Sequence, residues 1–135
     1  MILKTYMRLF TTDAERSLAA LRALHGGEPH MRMTMNEWEL IAIGDILLVA
    51  GSERSLAPIR NSQGPIVIDD LDEAKAALEA GGATISRPIA NGPTGRYLYA
   101  IHADGNVIEY AEWRPEFVER WYRAPKTSGT PSAQM

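Results

Sequence analysis

The fold is decided by a stretch near the C-terminal end of the sequence, RYLYAIHADGNVIEY, which spans residues 96–110. Asp104-Gly105 is a typical tight turn, and the segments on either side are rich in Tyr, Ile and Val, so the stretch predicts a β-hairpin. Alternation along the second strand places Val107, Glu109 and Ala111 on one face. Glu109 is a carboxylate within an apolar strand, and if that face is covered it needs a partner, a metal ion or a proton.

This hairpin resembles the last two strands of the vicinal oxygen chelate superfamily, which includes glyoxalase I, extradiol dioxygenases, and bleomycin and fosfomycin resistance proteins. The sequence motif typical of the family is Asp-Pro-Asp-Gly-Asn followed by a strand with the pattern apolar-X-Glu-apolar. Here the same region is His102-Ala103-Asp104-Gly105-Asn106-Val107-Ile108-Glu109-Tyr110. The turn, the Asn and the Glu match, whereas His102-Ala103 replaces the leading Asp-Pro.

The first half of the chain predicts one strand, one helix and three further strands. A helix is expected from Asp13, at a capping-box spacing, and it ends at Gly26-Gly27. The strands are expected over 2–10, 29–35, 38–43 and 46–50, the last buried on both faces. Residues 51–62 are polar and predict a linker.

The same order of elements repeats in the second half. Asp70 begins a second helix that Gly81-Gly82 ends, and strands are expected over 65–68, 83–89, 96–101 and 106–113. The repeat and the resemblance both predict an α+β fold of two βαβββ modules that form a glyoxalase-like half-barrel. Module one is expected over 1–51 and module two over 63–113, within one domain over 1–113. Residues 114–135 are expected to form a short C-terminal helix and a flexible tail.

Composition excludes several classes of function. The chain has 135 residues, a net charge of −3 and no cysteine, so it offers no basic surface for nucleic acid and no thiol chemistry. No secretory leader and no apolar run of membrane-spanning length is present in the sequence, and a cytoplasmic protein is expected.

The resemblance implies four positions at which metal-binding members of the superfamily place their ligands. Counting from the helix starts and the turn glycines of this sequence gives Tyr6, Leu48, Gln63 and Glu109. Leu48 has no donor atom, and neutral Tyr and Gln are poor ligands for the divalent ions of these enzymes. We therefore expect a metal-independent protein without a cofactor.

Strand parity extends these positions into a concave face that suits a small molecule. Arg8 shares a face with Tyr6, and we expect Arg8 and Glu109 either to form a buried ion pair or to bind ligand, with Arg8 holding an anionic or carbonyl oxygen. Trp38 and Tyr99 are expected to stack on a planar ligand. The expected ligand-binding set is Tyr6, Arg8, Trp38, Leu48, Gln63, Tyr99 and Glu109.

The sequence is compatible with three functions. The first is a small-molecule-binding protein of the bleomycin resistance type, with an aromatic or cationic ligand, for which a large open cleft between subunits is expected. The alternative is a glyoxalase-like lyase or isomerase that acts on a small carbonyl compound with Glu109 as general base, for which a small closed cup with an isolated Glu109 is expected. A degenerate structural subunit is a third option. Open sheet edges predict a homodimer, with Trp113, Phe117 and Trp121 near its interface.

Overall fold

A computed structural model describes residues 1–123, and these form nine strands and four α-helices. The strands are β1 (Ile2–Thr5), β2 (Met7–Thr11), β3 (Met31–Met35), β4 (Trp38–Ile43), β5 (Ile46–Ala50), β6 (Ser62–Ile68), β7 (Thr84–Asn91), β8 (Gly95–Ile101) and β9 (Val107–Trp113). The helices are α1 (Ala14–His25), α2 (Glu53–Leu56), α3 (Leu71–Ala80) and α4 (Pro115–Val118). Short 3₁₀ and π turns follow at Ala57–Ile59 and Glu119–Arg123.

The strands form two sheets that repeat the same arrangement. The four-stranded sheet has the order β2-β5-β4-β3, and the five-stranded sheet has the order β1-β6-β9-β8-β7. In each sheet the first strand of the repeat pairs in parallel with the last, as β2 with β5 and β6 with β9. The predicted α+β class and its two βαβββ repeats are confirmed.

Both repeat helices begin at the aspartates that the sequence indicates. Asp13 accepts a hydrogen bond from the backbone N–H of Arg16 at 3.1 Å, and Asp70 accepts one from Glu73 at 3.0 Å. These bonds satisfy backbone donors that a helix cannot pair within itself. Gly26 ends α1 at φ 82°, a conformation that favours glycine.

Each helix packs on the outer face of its own sheet. Leu18 and Leu21 of α1 are buried against the four-stranded sheet, and Leu71 of α3 is buried against the five-stranded sheet. The apolar stripe of each of these two helices therefore packs against the outer face of its sheet. The inner faces of the two sheets are left to form a third, central core.

The predicted strand over 2–10 is broken at Tyr6. The backbone N–H of Tyr6 donates to Pro65 in β6, whereas the next N–H, that of Met7, donates to Asp45 before β5. The chain thus leaves one sheet and enters the other at this residue. The prediction of a plain linker over 51–62 is also wrong, because Ser52 caps α2 and the 3₁₀ turn follows it.

The C-terminal aromatic residues pack within the chain. Trp113 is 7% exposed and contacts the rings of Tyr6, Trp121 and Tyr122. This cluster covers residues that the sequence indicated for a dimer interface. The predicted flexible tail lies, from residue 124 onward, outside the described residues. Among the helices of residues 1–123, none is both long and apolar enough to cross a membrane.

Candidate functional site

A cavity of about 160 Å³ lies between the inner faces of the two sheets. Both sheets of one chain supply its walls. Its lining residues are Arg8, Met31, Met35, Asn36, Trp38, Leu40, Leu47, Val49, Ile59, Pro65, Arg87, Gly92, Pro93, Thr94, Gly95, Arg96, Tyr97, Tyr99, Glu109, Ala111 and Trp113.

One wall carries a row of polar side chains, Arg87, Tyr99 and Glu109, which we call the polar row. Arg87 of β7 is paired with Tyr99 of β8, and Tyr99 is paired with Glu109 of β9. Directly opposed residues of neighbouring strands share a face, so the three side chains point to the cavity together. Tyr97 and Ala111 form the next pair along the same face.

Arg8 approaches the polar row from the other sheet and ends at Glu109. Its Nη2 forms a short ion pair with Glu109 Oε1, and its Nη1 donates to Ser62 Oγ at 2.8 Å and to Tyr99 Oη at 3.5 Å. The Arg8 side chain is 3% exposed and that of Glu109 is 17% exposed. Arg8 Nε is buried without a hydrogen-bond partner among the described residues. The guanidinium is thus fixed by protein groups on its terminal nitrogens.

Burial raises the pKa of two members of the polar row, Glu109 and Tyr99. It raises the pKa of Glu109, and the adjacent Arg8 guanidinium opposes that rise without cancelling it. Burial also raises the pKa of Tyr99, and the negative charge of Glu109 adds to that rise. The environment therefore favours a neutral phenol at Tyr99, whereas Glu109 depends on Arg8 to hold its charge.

Glycine at position 64 allows β6 to pass close to the carboxylate strand. Gly64 has φ 118°, and a Cβ there would lie 2.7 Å from the carbonyl oxygen of Glu109. Any side chain would push the two strands apart at the point where Ser62 and Glu109 meet Arg8. The backbone irregularity between Gln63 and Ile66 falls at the same place.

The opposite wall is apolar and comes from the four-stranded sheet. The register of β3, β4 and β5 aligns the residues of this wall. Trp38 is fixed by a 2.9 Å hydrogen bond from its Nε1 to the Ser55 carbonyl. Met35 lies at the turn that joins β3 to β4, and Gly92 lies in the turn that joins β7 to β8. The terminal methyl carbon of Met35 is 3.6 Å from the point where a Cβ on Gly92 would lie. The two hairpin turns thus meet at the edge of the cavity.

The structure brings together four of the seven predicted ligand-binding residues, Arg8, Trp38, Tyr99 and Glu109. Leu48 is not among them. It is 0% exposed and packs with Leu18 and Leu21 under α1. β5 pairs with β2 in parallel, with Leu48 beside Leu9 and Leu47 beside Arg8. The predicted cavity position of Leu48 is therefore wrong by one residue, and Leu47 and Val49 face the cavity.

Tyr6 and Gln63 also lie outside the cavity lining. The Tyr6 hydroxyl is hydrogen-bonded to His30 Nε2 at 2.7 Å and to the Tyr122 hydroxyl at 2.8 Å. Gln63 is exposed, and its Oε1 accepts from the backbone N–H of Arg8 at 3.1 Å. Their expected places beside the ligand are wrong, because the chain changes sheets at Tyr6 and β6 is irregular after Gln63.

Arg87 and Ser62 are two polar site residues that sequence reasoning missed, and Asn36, Thr94 and Arg96 of the cavity lining were missed as well. Ser62 was assigned to a linker, although it is buried and pairs with Val107. Arg87 lies in a strand whose pairing shifts on both sides of it, between Ile85 and Arg87 and again before Ala90. Counting alternate residues from the start of the strand does not show which face of the sheet carries Arg87. Its pairing with Tyr99 shows that it lies on the cavity face.

The residues at the four family positions do not fit a metal ion. Leu48 lacks a donor and faces α1, the Tyr6 hydroxyl is held by His30 and Tyr122, and Glu109 is held by Arg8. Within residues 1–123, no three His, Asp or Glu side chains lie close enough together to form a metal site.

The chain is similar to several solved structures. An uncharacterised protein from Methanosarcina mazei is 40% identical, with a TM-score of 0.80, over 84% of this chain and 94% of that one. Methylmalonyl-CoA epimerase from Mycobacterium tuberculosis is 17% identical, with a TM-score of 0.63, over 87% and 92% of the two chains. A methylmalonyl-CoA epimerase in complex with methylmalonyl-CoA and NH₄⁺ is also 17% identical, with a TM-score of 0.63, over 85% and 97%.

The epimerase likenesses show the fold alone, at that level of identity. Comparison with protein-family models gives no match, and comparison with curated protein sequences gives none either. The function must therefore be argued from the cavity itself.

Proposed function

This chain belongs to the family of the Methanosarcina mazei protein and has the glyoxalase-like fold, and from its cavity we propose that it is a metal-independent small-molecule-binding protein. The ligand is held between the two sheets of a single chain. One observation carries the proposal: a cavity of about 160 Å³ within one chain, in place of the large cleft expected between subunits, has an apolar wall opposite a polar row. An apolar cup with a few convergent polar groups is the usual form of a ligand site.

The volume limits the ligand to a small compound. Pockets for drug-sized molecules measure roughly 300–1,000 Å³, whereas an engineered cavity of about 150 Å³ binds benzene. A cavity of about 160 Å³ therefore suits a molecule built on one ring or a short branched chain. A large antibiotic would require the hairpin turns at Met35 and Gly92 to move apart.

Metal independence is part of the proposal and rests on the donor atoms. Glu109 is the one strong ligand type at the four family positions, and its carboxylate is already neutralised by Arg8. A divalent ion there would have to displace a buried guanidinium and rely on water for its other ligands. No step of the proposed function passes through a metal ion.

The binding proposal is tested by a thermal-shift screen of single-ring compounds against wild type and Ala111→Leu. Ala111 borders the cavity, so the larger side chain occupies ligand space. A true ligand at about 100 times its Kd stabilises wild type by about 2.7 kcal/mol and has no effect on the filled variant. A compound that stabilises both proteins equally binds outside the cavity. A screen without any hit that depends on Ala111 would contradict the proposal.

A second function is favoured by the upward pKa shift of Glu109 and its partial exposure to the cavity. In a glyoxalase-like lyase or isomerase, Glu109 would remove a proton from the carbon next to a carbonyl group, and Arg8 and Tyr99 would donate hydrogen bonds to the carbonyl oxygen. The small volume of the cavity agrees with this function. The tight pairing of Glu109 with Arg8 does not, because a carboxylate stabilised by a cation is a weaker base.

Glu109→Gln separates the two functions, because it keeps the shape of the side chain and removes its basicity. For a carbonyl ligand found in the screen, solvent deuterium exchange at the neighbouring carbon is followed by NMR. A general base predicts exchange that falls by about 10²–10⁴ in the variant while affinity is retained. A binding protein predicts exchange at the solution rate in both proteins.

A further inference from the structure

The three arginines of the cavity differ in how their charges are balanced. Arg8 is paired with Glu109, and Arg96 is paired with Glu112 and Asp72. The Arg87 side chain forms no ion pair or hydrogen bond with any of residues 1–123. Its guanidinium carbon lies 5.3 Å from the centre of the Tyr99 ring. One uncompensated positive charge thus remains at the cavity, beside the polar row.

Tyr99 holds Arg87 in place without neutralising it. The Tyr99 ring has Arg87 at 5.3 Å and Arg8 at 5.9 Å from its centre, and its hydroxyl accepts from Arg8. A guanidinium on an aromatic face is oriented while its N–H groups stay available. Arg87 is itself exposed, so its N–H groups are open to a ligand that enters the cavity.

We propose that Arg87 is the anion-recognising residue of this cavity, and that the ligand is a small monoanionic compound whose apolar body lies between Trp38 and the polar row. This rests on the proposed function and specifies its ligand. A planar carboxylate matches the fork of N–H donors that a guanidinium presents. The local charge is opposite in sign to the net charge of −3 of the whole chain, and a monoanion differs from the aromatic or cationic ligand that the sequence predicts.

Arg8 and Arg87 have different roles because their side chains differ in exposure to solvent. Arg8 is almost completely buried, and its terminal nitrogens are used by Glu109, Ser62 and Tyr99. An anion bound to Arg8 would have to compete with Glu109 and would meet its negative charge. At Arg87 no carboxylate of the described residues lies within ion-pair distance. The ligand charge is therefore expected at the β7 side of the cavity.

The test uses three planar probes of nearly equal size: benzoate, benzamide and benzamidinium. Binding is measured by the fluorescence of the tryptophans, because Trp38 and Trp113 line the cavity. The probes are titrated into wild type, Arg87→Gln and the control Arg16→Gln. Arg16 is exposed on α1, away from the cavity, so the control makes the same change in net charge.

Wild type and Arg16→Gln should bind benzoate about tenfold more tightly than benzamide, and benzamidinium most weakly. Arg87→Gln should lose the benzoate preference and keep its affinity for benzamide. Equal binding of benzoate and benzamide by wild type would overturn the charge assignment and leave the binding function standing. A benzoate preference that survives in Arg87→Gln would also overturn it. Failure of all three probes to bind would count against the proposed function itself.

Discussion

Replacing Arg8 by Met should make the stability of the protein fall more steeply with rising pH than it does in wild type. Met is apolar and of similar length, so the change removes the charge and the donors while it fills much of the same space. Glu109 is then left without its counter-charge inside the cavity. Loss of one partner from a buried ion pair costs about 3–5 kcal/mol.

Protonation of Glu109 limits how much stability the Arg8→Met variant loses. A folded Arg8→Met chain can avoid the buried charge by protonating Glu109, which costs about 3.5 kcal/mol at pH 7 and about 1 kcal/mol at pH 5 for an ordinary glutamate. The variant raises the pKa of Glu109 further, so its folded state binds a proton that the unfolded state releases near neutral pH. Stability is therefore retained at low pH and lost as the pH rises.

Urea unfolding at pH 5 and pH 7 measures this effect. We expect Arg8→Met to be about 3 kcal/mol less stable than wild type at pH 7 and about 1 kcal/mol less stable at pH 5. The double variant Arg8→Met/Glu109→Gln should lose most of the pH dependence. Arg32→Met, which breaks exposed pairs with Glu15 and Glu39, should cost less than about 1 kcal/mol at either pH. An equal loss at both pH values for Arg8→Met would refute the reasoning.

Three further predictions follow from the packing of the core, the lack of a metal-ligand cluster within residues 1–123 and the free edges of the sheets. Ala111→Leu, beside the cavity, should change the free energy of unfolding by less than about 1 kcal/mol, whereas Ala100→Leu under α3 should cost about 1–3 kcal/mol in the same urea experiment. Dialysis against a chelator should leave the thermal midpoint unchanged, and a chelator-sensitive midpoint would restore a metal-dependent enzyme. Light scattering should give the mass of two chains, since the outer strands β3 and β7 have free edges among the described residues, and a monomer at micromolar concentration would exclude the dimer.

The fold could be predicted from the sequence because its signals are local and occur twice. Asp13 and Asp70 begin their helices through side-chain caps, and the turns at Gly44 and Gly105 lie at their expected places before the last strand of each repeat. Each signal is set by a few neighbouring residues. Their repetition in the same order then fixes the topology.

The site could be predicted only in part, because strand parity fails where a strand is buried on both faces or is irregular. β5 is apolar throughout, so nothing in its sequence shows that Leu47 rather than Leu48 faces the cavity. Arg87 and Gln63 lie beside irregular pairings that change the face of each residue. Glu109 could be placed at the cavity because a carboxylate in an apolar strand marks a special face. Arg8 was placed there by strand parity, and Trp38 and Tyr99 as aromatic residues suited to stacking on a ligand.

The central claim is that a small molecule binds between the two sheets of one chain. Its most direct test is a heteronuclear NMR titration of wild type with benzoate and with benzamide, followed at the backbone amides. We expect saturable shifts at Leu47, Tyr99 and Ala111, which line the cavity, and unchanged signals at Leu18 and Leu71, which lie under the helices. Shifts centred on the helix side, or no saturable shift with either compound, would contradict the claim.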